Sequence, residues 1–464
     1  MKIYLDFNYA MTEFIGPHGI RDEDLASIGG QCEGVRARLK DARKQGLLPF
    51  LDLPHERGWV DEINRLAGRV REGYEDFILL GIGGSNLGAM ALYKALAHPY
   101  HNLLPKEERG GPRIFFMENV DPEGIAGLLK VVDLDRAFIN VVSKSGATVE
   151  TAAHFLYLLR KVKERLGRGW RERFVITTDP KRGPLREIVE REGLMNFPIP
   201  EGVEGRYSVL SPVGLFPGAV MGIDIDALLR GAAFMDRQSE EAELWEDPAC
   251  VMASLLYLTD IRRGKKVLVM MPYADALQGL GLWFRQLWAE SVGKGHTLDG
   301  KEAHTGTTPI VALGTTDQHS QLQLYLEGPN DKLIIFLAVE NFRAQVGIPE
   351  EEGGVEGIGY LGGHTFNQLI KLEREVTELA LVKAGRPSMT IAFPEINPFT
   401  IGQFIYLMEV TTAIACGLYN VNPYDQPGVE EGKRFIYAIM GRKGYEAKGE
   451  EWLSRRKKEA RFIL

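Results

Sequence analysis

Short, nearly continuous apolar runs alternate with longer stretches of helical periodicity along most of this chain. Phe77–Gly84 (FILLGIGG), Arg113–Asn119 (RIFFMEN), Ala137–Ser145 (AFINVVSKS) and Arg173–Asp179 (RFVITTD) form a first set of strand-like runs. Helical patterns such as AMALYKALAH and TAAHFLYLLRKVKERLG separate them. Strands apolar on both faces belong to a parallel sheet covered by helices on both sides. The pattern then begins again with Lys265–Tyr273 (KKVLVMMPY), PIVALG, Lys332–Val339 (KLIIFLAV) and Ser388–Phe393 (SMTIAF). Two successive strand–helix sets predict an α/β protein of two sandwich domains, meeting near Pro217–Arg237. The expected organisation is a helical N-terminal segment at 1–70, domains at 71–225 and 226–435, and a helical tail at 436–464. No short-period repeat is present.

Composition narrows the class. The chain has 464 residues and a formal net charge of -8, which disfavours a nucleic-acid binder. Its three cysteines, Cys32, Cys250 and Cys416, are too scattered for a disulfide framework and point to a reducing, cytoplasmic setting. The N-terminus carries Asp6 and Glu13 where a secretory signal would be apolar. The most membrane-like stretch, Phe404–Val421, contains Glu409 and is expected to be a buried core helix and not a membrane span. Glycine is in excess, 52 residues or roughly 11% against about 7% on average, so tight turns or close backbone contacts are expected.

Three other stretches carry less chemistry than their composition suggests. Pro349–His364 is acidic and glycine-rich but lacks the alternating ligands of a calcium loop, so a solvated connection is expected. Arg455–Lys458 (RRKK) reads as an exposed helix face. His98–His101 (HPYH) has metal-like spacing, but its interior proline and the lack of further ligands favour a surface turn, and no metal site is expected.

The chemistry concentrates in strand-to-helix loops. Gly81–Gly88 (GIGGSNLG) lies where free N–H groups and a helix dipole meet an anion. Its register fails the dinucleotide fingerprint, since Asn86 occupies the place of the last glycine, and it is not a Walker loop. Ser143–Thr148 (SKSGAT) supplies three hydroxyls, the ammonium of Lys144 and a permissive Gly146, the groups that suit a phosphomonoester. Two such loops point to a phosphorylated small molecule at the C-terminal edge of the strands.

GIGGSNLG, SKSGATVET, EGRYSVLSPVGL, AESVGKG, GTTDQHSQLQL and NPYDQPGVEEGK follow in order between residues 81 and 433. Together they resemble the phosphoglucose isomerase (glucose-6-phosphate isomerase) family in its shorter bacterial form. The resemblance implies two SIS-type α/β/α sandwich domains with mostly parallel central sheets, flanked by helical N- and C-terminal segments. It also implies a cytoplasmic homodimer of glycolysis and gluconeogenesis, with no metal or organic cofactor. The implied reaction interconverts glucose 6-phosphate and fructose 6-phosphate by ring opening and proton transfer through a cis-enediol(ate).

By the same resemblance, Glu290 is the catalytic base and Arg206 faces the developing oxyanion. His319 and Lys433 serve ring opening, His319 reaching the neighbouring subunit's site. Ser143, Ser145 and Thr148 are the phosphate hydroxyls, with Lys144, Ser85 and Gly84 close by, and Gly205, Gln286 and Gln426 complete the binding set. Gln286 and Glu290 stand four apart on one helix face. Gly293 is expected to end that helix as a C′ residue. Glu204 beside Gly205–Arg206 departs from the usual motif; it either pairs with Arg206 or turns to solvent, and the second is expected. Tyr424, where Phe is common, is a conservative change. The rival readings are an isomerase that also converts mannose 6-phosphate and a non-catalytic phosphosugar sensor, which would not need Glu290, His319 and Lys433.

Overall fold

The computed structural model describes residues 1–350, 354 and 356–464. Part of the acidic stretch at 349–364 therefore lies outside the described residues. The strands are β1 (Tyr4–Asp6), β2 (Asp76–Leu80), β3 (Arg113–Met117), β4 (Ala137–Ser143), β5 (Phe174–Thr178) and β6 (Met195–Pro198). They continue with β7 (Val267–Pro272), β8 (Thr308–Val311), β9 (Lys332–Asn341) and β10 (Ser388–Glu395). The first sheet runs β3-β2-β4-β5-β6 and is parallel throughout. The second runs β1-β10-β9-β7-β8 and is parallel except at the β1 edge.

The expected two-sheet α/β architecture is therefore met, with two additions. Residues 1–70 are mostly helical, yet β1 leaves that segment to pair antiparallel with β10 in the second sheet. The short β6 closes the far edge of the first sheet.

Burial explains the continuous apolar runs. Every residue of β2 and of β4 is buried. Alternate side chains serve two cores: Ile78, Leu80, Ile139 and Val141 pack outward beneath Phe155 and Leu158, while Phe77, Leu79 and Phe138 face inward. Leu268, Met270, Leu333 and Ile335 of the second sheet face inward too, so one continuous core joins the sheets. At the start of β2, Arg113 grips Asp76 with two bonds of 2.7 and 3.0 Å across directly paired positions, which holds the β2–β3 register.

The helix Pro398–Tyr419 lies within the shared core, with 89% of its apolar window buried. It crosses Ile225–Glu241 so closely that a Cβ on Gly402 would lie 1.9 Å from the Leu228 carbonyl oxygen. This is the core helix expected from Phe404–Val421. Its Glu409 is fully buried, and neither carboxyl oxygen has a hydrogen-bond partner among the described residues. Burial pushes that carboxyl well above the usual range.

Strand order fixes where a ligand can sit. The chain leaves β2 toward β3 on one side and returns to β4 on the other, so the order reverses between β2 and β4. Crevices open at such switch points, beyond the C-terminal ends of the strands. The loops leaving β2 and β4 are the two glycine-bearing loops singled out by sequence.

Candidate active site

A cavity of about 930 Å³ opens at this switch point. Its walls come from the β2 and β4 loops, the loop after β6, the helix Gln278–Val292 and the segment from Gln426 to Tyr437.

The β2 loop and the loop after β6 touch backbone to backbone. A Cβ on Gly84 would fall 2.2 Å from the Gly205 carbonyl carbon, so the β2 loop depends on glycine there. Gly83 has a φ of 57°, and a side chain on it would meet the Gln286 amide at 2.8 Å. Ser85 lies on the cavity wall beside these glycines.

The β4 loop is folded by its own hydroxyls. Ser143 Oγ lies 3.0 Å from Thr148 Oγ1 and accepts from the Gly146 N–H at 3.1 Å. Ser145 Oγ accepts from the Ala147 N–H at 3.2 Å. Lys144, Ser145 and Thr148 line the cavity, but Ser143 is only 1% exposed and does not. The serine assigned from its motif to phosphate thus shapes the loop behind the wall. Thr148 sits at the N-cap of Val149–Leu166 without bonding a helix N–H, which leaves its hydroxyl turned into the loop.

Arg206 is the hub. It sits in the short helical turn Gly205–Tyr207 and is 2% exposed. Its Nε donates to Ser291 Oγ at 2.9 Å, and its Nη1 to Glu290 Oε2 at 3.1 Å and to Gln426 Oε1 at 2.9 Å. Its Nη2 donates to the carbonyls of Pro423 and of Asp425, the latter at 3.1 Å. Gln286 donates to the other oxygen of Glu290 at 3.0 Å, as the four-residue spacing implied. The Glu290 carboxylate is thereby held between a guanidinium and an amide, with a third of its side chain still open to the cavity. A pre-positioned base beside a fixed cation is an arrangement suited to abstracting a weakly acidic proton next to a carbonyl.

Several expectations are corrected. Glu204 neither pairs with Arg206 nor turns to solvent: its Oε1 accepts from Lys144 Nζ at 2.8 Å. Gly293 follows the helix Gln278–Val292 with a φ of −75°, so it is not a left-handed cap. It is glycine because a Cβ would lie 2.6 Å from the Ala289 carbonyl oxygen. His101 is buried and bonds the Pro112 carbonyl oxygen at 3.0 Å, so HPYH is only half a surface turn. The helix Glu446–Arg455 ends at Arg455, and the remaining basic residues of RRKK are exposed beyond it.

Lys433 lines the cavity but bonds Glu430 at 2.7 Å. His319 ends the turn Thr316–His319, is exposed and does not line the cavity of its own chain. Motif reading passed over Lys294, four residues after Glu290. Its Nζ donates to the Glu290 and Asp425 carbonyls, the second at 3.0 Å, so it ties the Glu290 helix to the Gln426 loop. Burial pulls that ammonium's pKa down. Arg182, which lies in no motif, and Glu150, which lies in SKSGATVET without a role read for it, also stand at the cavity wall.

A family model described as phosphoglucose isomerase matches residues 60–346 and 364–452. The chain is 43% identical over 465 residues to a glucose-6-phosphate isomerase from Carboxydothermus hydrogenoformans, covering 100% of both. It is 50% identical over 424 residues to one from Rubrobacter xylanophilus, covering 90% of this chain and 96% of that one. A hypothetical protein from Thermus thermophilus superposes with a TM-score of 0.85 at 40% identity, covering 95% of this chain and 100% of that one. A glucose-6-phosphate isomerase from Chlamydia trachomatis superposes with a TM-score of 0.72 at 25% identity, covering 85% of this chain and 75% of that one.

Proposed function

This chain belongs to the phosphoglucose isomerase family, and from that premise we propose how its own residues carry the reaction. The activity is aldose–ketose isomerisation between glucose 6-phosphate and fructose 6-phosphate, a step of glycolysis and gluconeogenesis. Ser145, Thr148 and Lys144 bind the phosphate, with Ser143 holding the loop that presents them and Ser85 beside it. Glu290 takes the proton from C2 of the opened aldose and returns it to C1. Arg206 offsets the charge that grows on the enediolate oxygen, and Gln286 and Gln426 hold the two charged groups in register.

The Glu290–Arg206 contact is the observation that carries this reading: base and cation already lie 3.1 Å apart at the mouth of a phosphate-type loop. The planar guanidinium presents a fixed fork of donors to a developing anion. Ring opening falls to Lys433, whose ion pair with Glu430 is nearly half exposed and open to exchange, and to His319. His319 is exposed and outside its own chain's cavity, which is compatible with the family-implied role at the site of a second copy in a homodimer. Histidine suits that proton relay near neutral pH.

The reaction is internally redox-neutral, and we infer that Glu290 as base and Arg206 as fixed cation carry it without metal or organic cofactor. Three buried, unpaired cysteines fit a cytoplasmic enzyme. The test is conversion of glucose 6-phosphate to fructose 6-phosphate with EDTA present, in deuterated water. Turnover with deuterium entering at the transferred carbon position is expected; no turnover until a metal is restored would overturn the cofactor-free mechanism.

A further inference from the structure

Three cations at the cavity wall already have close acidic partners. Arg206 holds Glu290, Lys433 holds Glu430, and Lys144 holds Glu204. The first two pairs belong to the proton-transfer machinery. The third has no part in it, and it sits on the one ammonium of the phosphate loop.

The backbone of Glu204 is anchored. Its carbonyl accepts from the Tyr207 N–H at 2.9 Å, and the preceding Val203 is fully buried. The following Gly205 is pressed against Gly84. The Lys144 backbone is anchored too, between Ser143, buried at the end of β4, and Ser145, bonded back to Ala147. The ion pair therefore joins two loops at the cavity wall, with Lys144 35% and Glu204 22% exposed. A phosphate settling on Ser145 and Thr148 must draw Lys144 away from a carboxylate that stays nearby and repels it.

We propose that Glu204 is a specificity-determining residue: it holds Lys144 in the empty site and competes with the substrate's phosphate for that ammonium. This rests on the reading of the Ser143–Thr148 loop as the phosphate site. Glu204 thereby weakens phosphate binding and selects ligands carrying enough negative charge to displace it. A neutral sugar cannot do so, and product is released more readily than from an unopposed lysine.

The test compares E204Q, K144Q and the double variant by calorimetric titration with inorganic phosphate, and by KM and kcat for fructose 6-phosphate. Glutamine keeps the shape and removes the charge. E204Q is expected to bind phosphate about two- to fivefold more tightly, the scale of a partly exposed ion pair. KM falls by a similar factor, and kcat changes less than KM. In the K144Q background the same substitution loses its effect. Unchanged or weaker phosphate binding by an E204Q protein with the parent's thermal midpoint overturns the proposal, as does an equal gain in the K144Q background. The titration needs no turnover, so a chain that binds phosphate without isomerising fails the reaction assignment and not this one.

Discussion

Arg206 Nη1 lies 3.1 Å from Glu290 Oε2 and 2.9 Å from Gln426 Oε1, so one edge of a buried guanidinium joins Glu290 to a loop 220 residues beyond the arginine. Removing the base while keeping its shape separates chemistry from binding. E290Q is expected to lower kcat by about 10²–10⁴-fold, the usual contribution of a positioned acid–base group. Phosphate affinity should persist, because Lys144, Ser145 and Thr148 lie on a different loop. Rates by a coupled assay and proton exchange in deuterated water check this; exchange at the parent rate would place the base elsewhere.

Arg206 donates in three directions at once, to Ser291, to Glu290 and Gln426, and to the carbonyls of Pro423 and Asp425. Lysine keeps the charge but loses the planar fork. R206K leaves buried acceptors unpaired, and we expect about 2–4 kcal/mol lower stability together with a loss of kcat. Urea unfolding and steady-state kinetics measure both; a variant with unchanged midpoint would mean that water replaces the fork at no cost.

The Gly84–Gly205 contact gives a steric prediction. A Cβ on Gly84 would stand 2.2 and 2.4 Å from the Gly205 carbonyl carbon and oxygen, so G84A must push the loop after β6 away. The displacement moves Arg206 and Glu204 together. A loss of about 1–3 kcal/mol is expected from forcing atoms into a packed contact, with a fall in kcat/KM. Gly30, in an exposed helix face with nothing near its Cβ, is the control position.

Much of this was legible in the sequence, for identifiable reasons. β2, β4 and β9 bury both faces, so their apolar runs stand out. β1 is three residues long with no buried side chain, and it is a strand only because β10, near the other end of the chain, offers an edge. The Gln286–Glu290 bond is local and followed from helical spacing. The Lys144–Glu204 pair is not local, and no pattern within either loop announces it. Ser143 was expected among the phosphate hydroxyls from its motif, which does not carry the burial at the strand end that turns its hydroxyl to the loop.

If His319 serves a neighbouring site, two inactive homodimers should complement each other. E290Q and H319A, mixed and re-formed from separated subunits, give heterodimers with one doubly damaged site and one intact site. Random reassembly of a twofold dimer then restores roughly a quarter of the parent activity. No recovery, with heterodimers verified by mass, would put His319 to work within its own chain.

Glu409 makes stability depend on pH in the direction opposite to most carboxylates. It is fully buried in Pro398–Tyr419 with neither oxygen bonded among the described residues, and burial raises its pKa well above the usual value. The folded chain therefore keeps this proton after the unfolded chain has released it, near about pH 4.3. Above that pH the unfolded state binds fewer protons, so this residue's contribution to stability falls as pH rises, by up to about 1.4 kcal/mol per unit until the raised pKa is passed. E409Q removes the titration and E409M also removes the unpaired polar atoms. Both variants should gain stability over the parent between pH 5 and pH 8, and the gain should grow with pH, as read from thermal midpoints in matched buffers. A gain independent of pH would show that the carboxyl is ionised in the folded chain across that range.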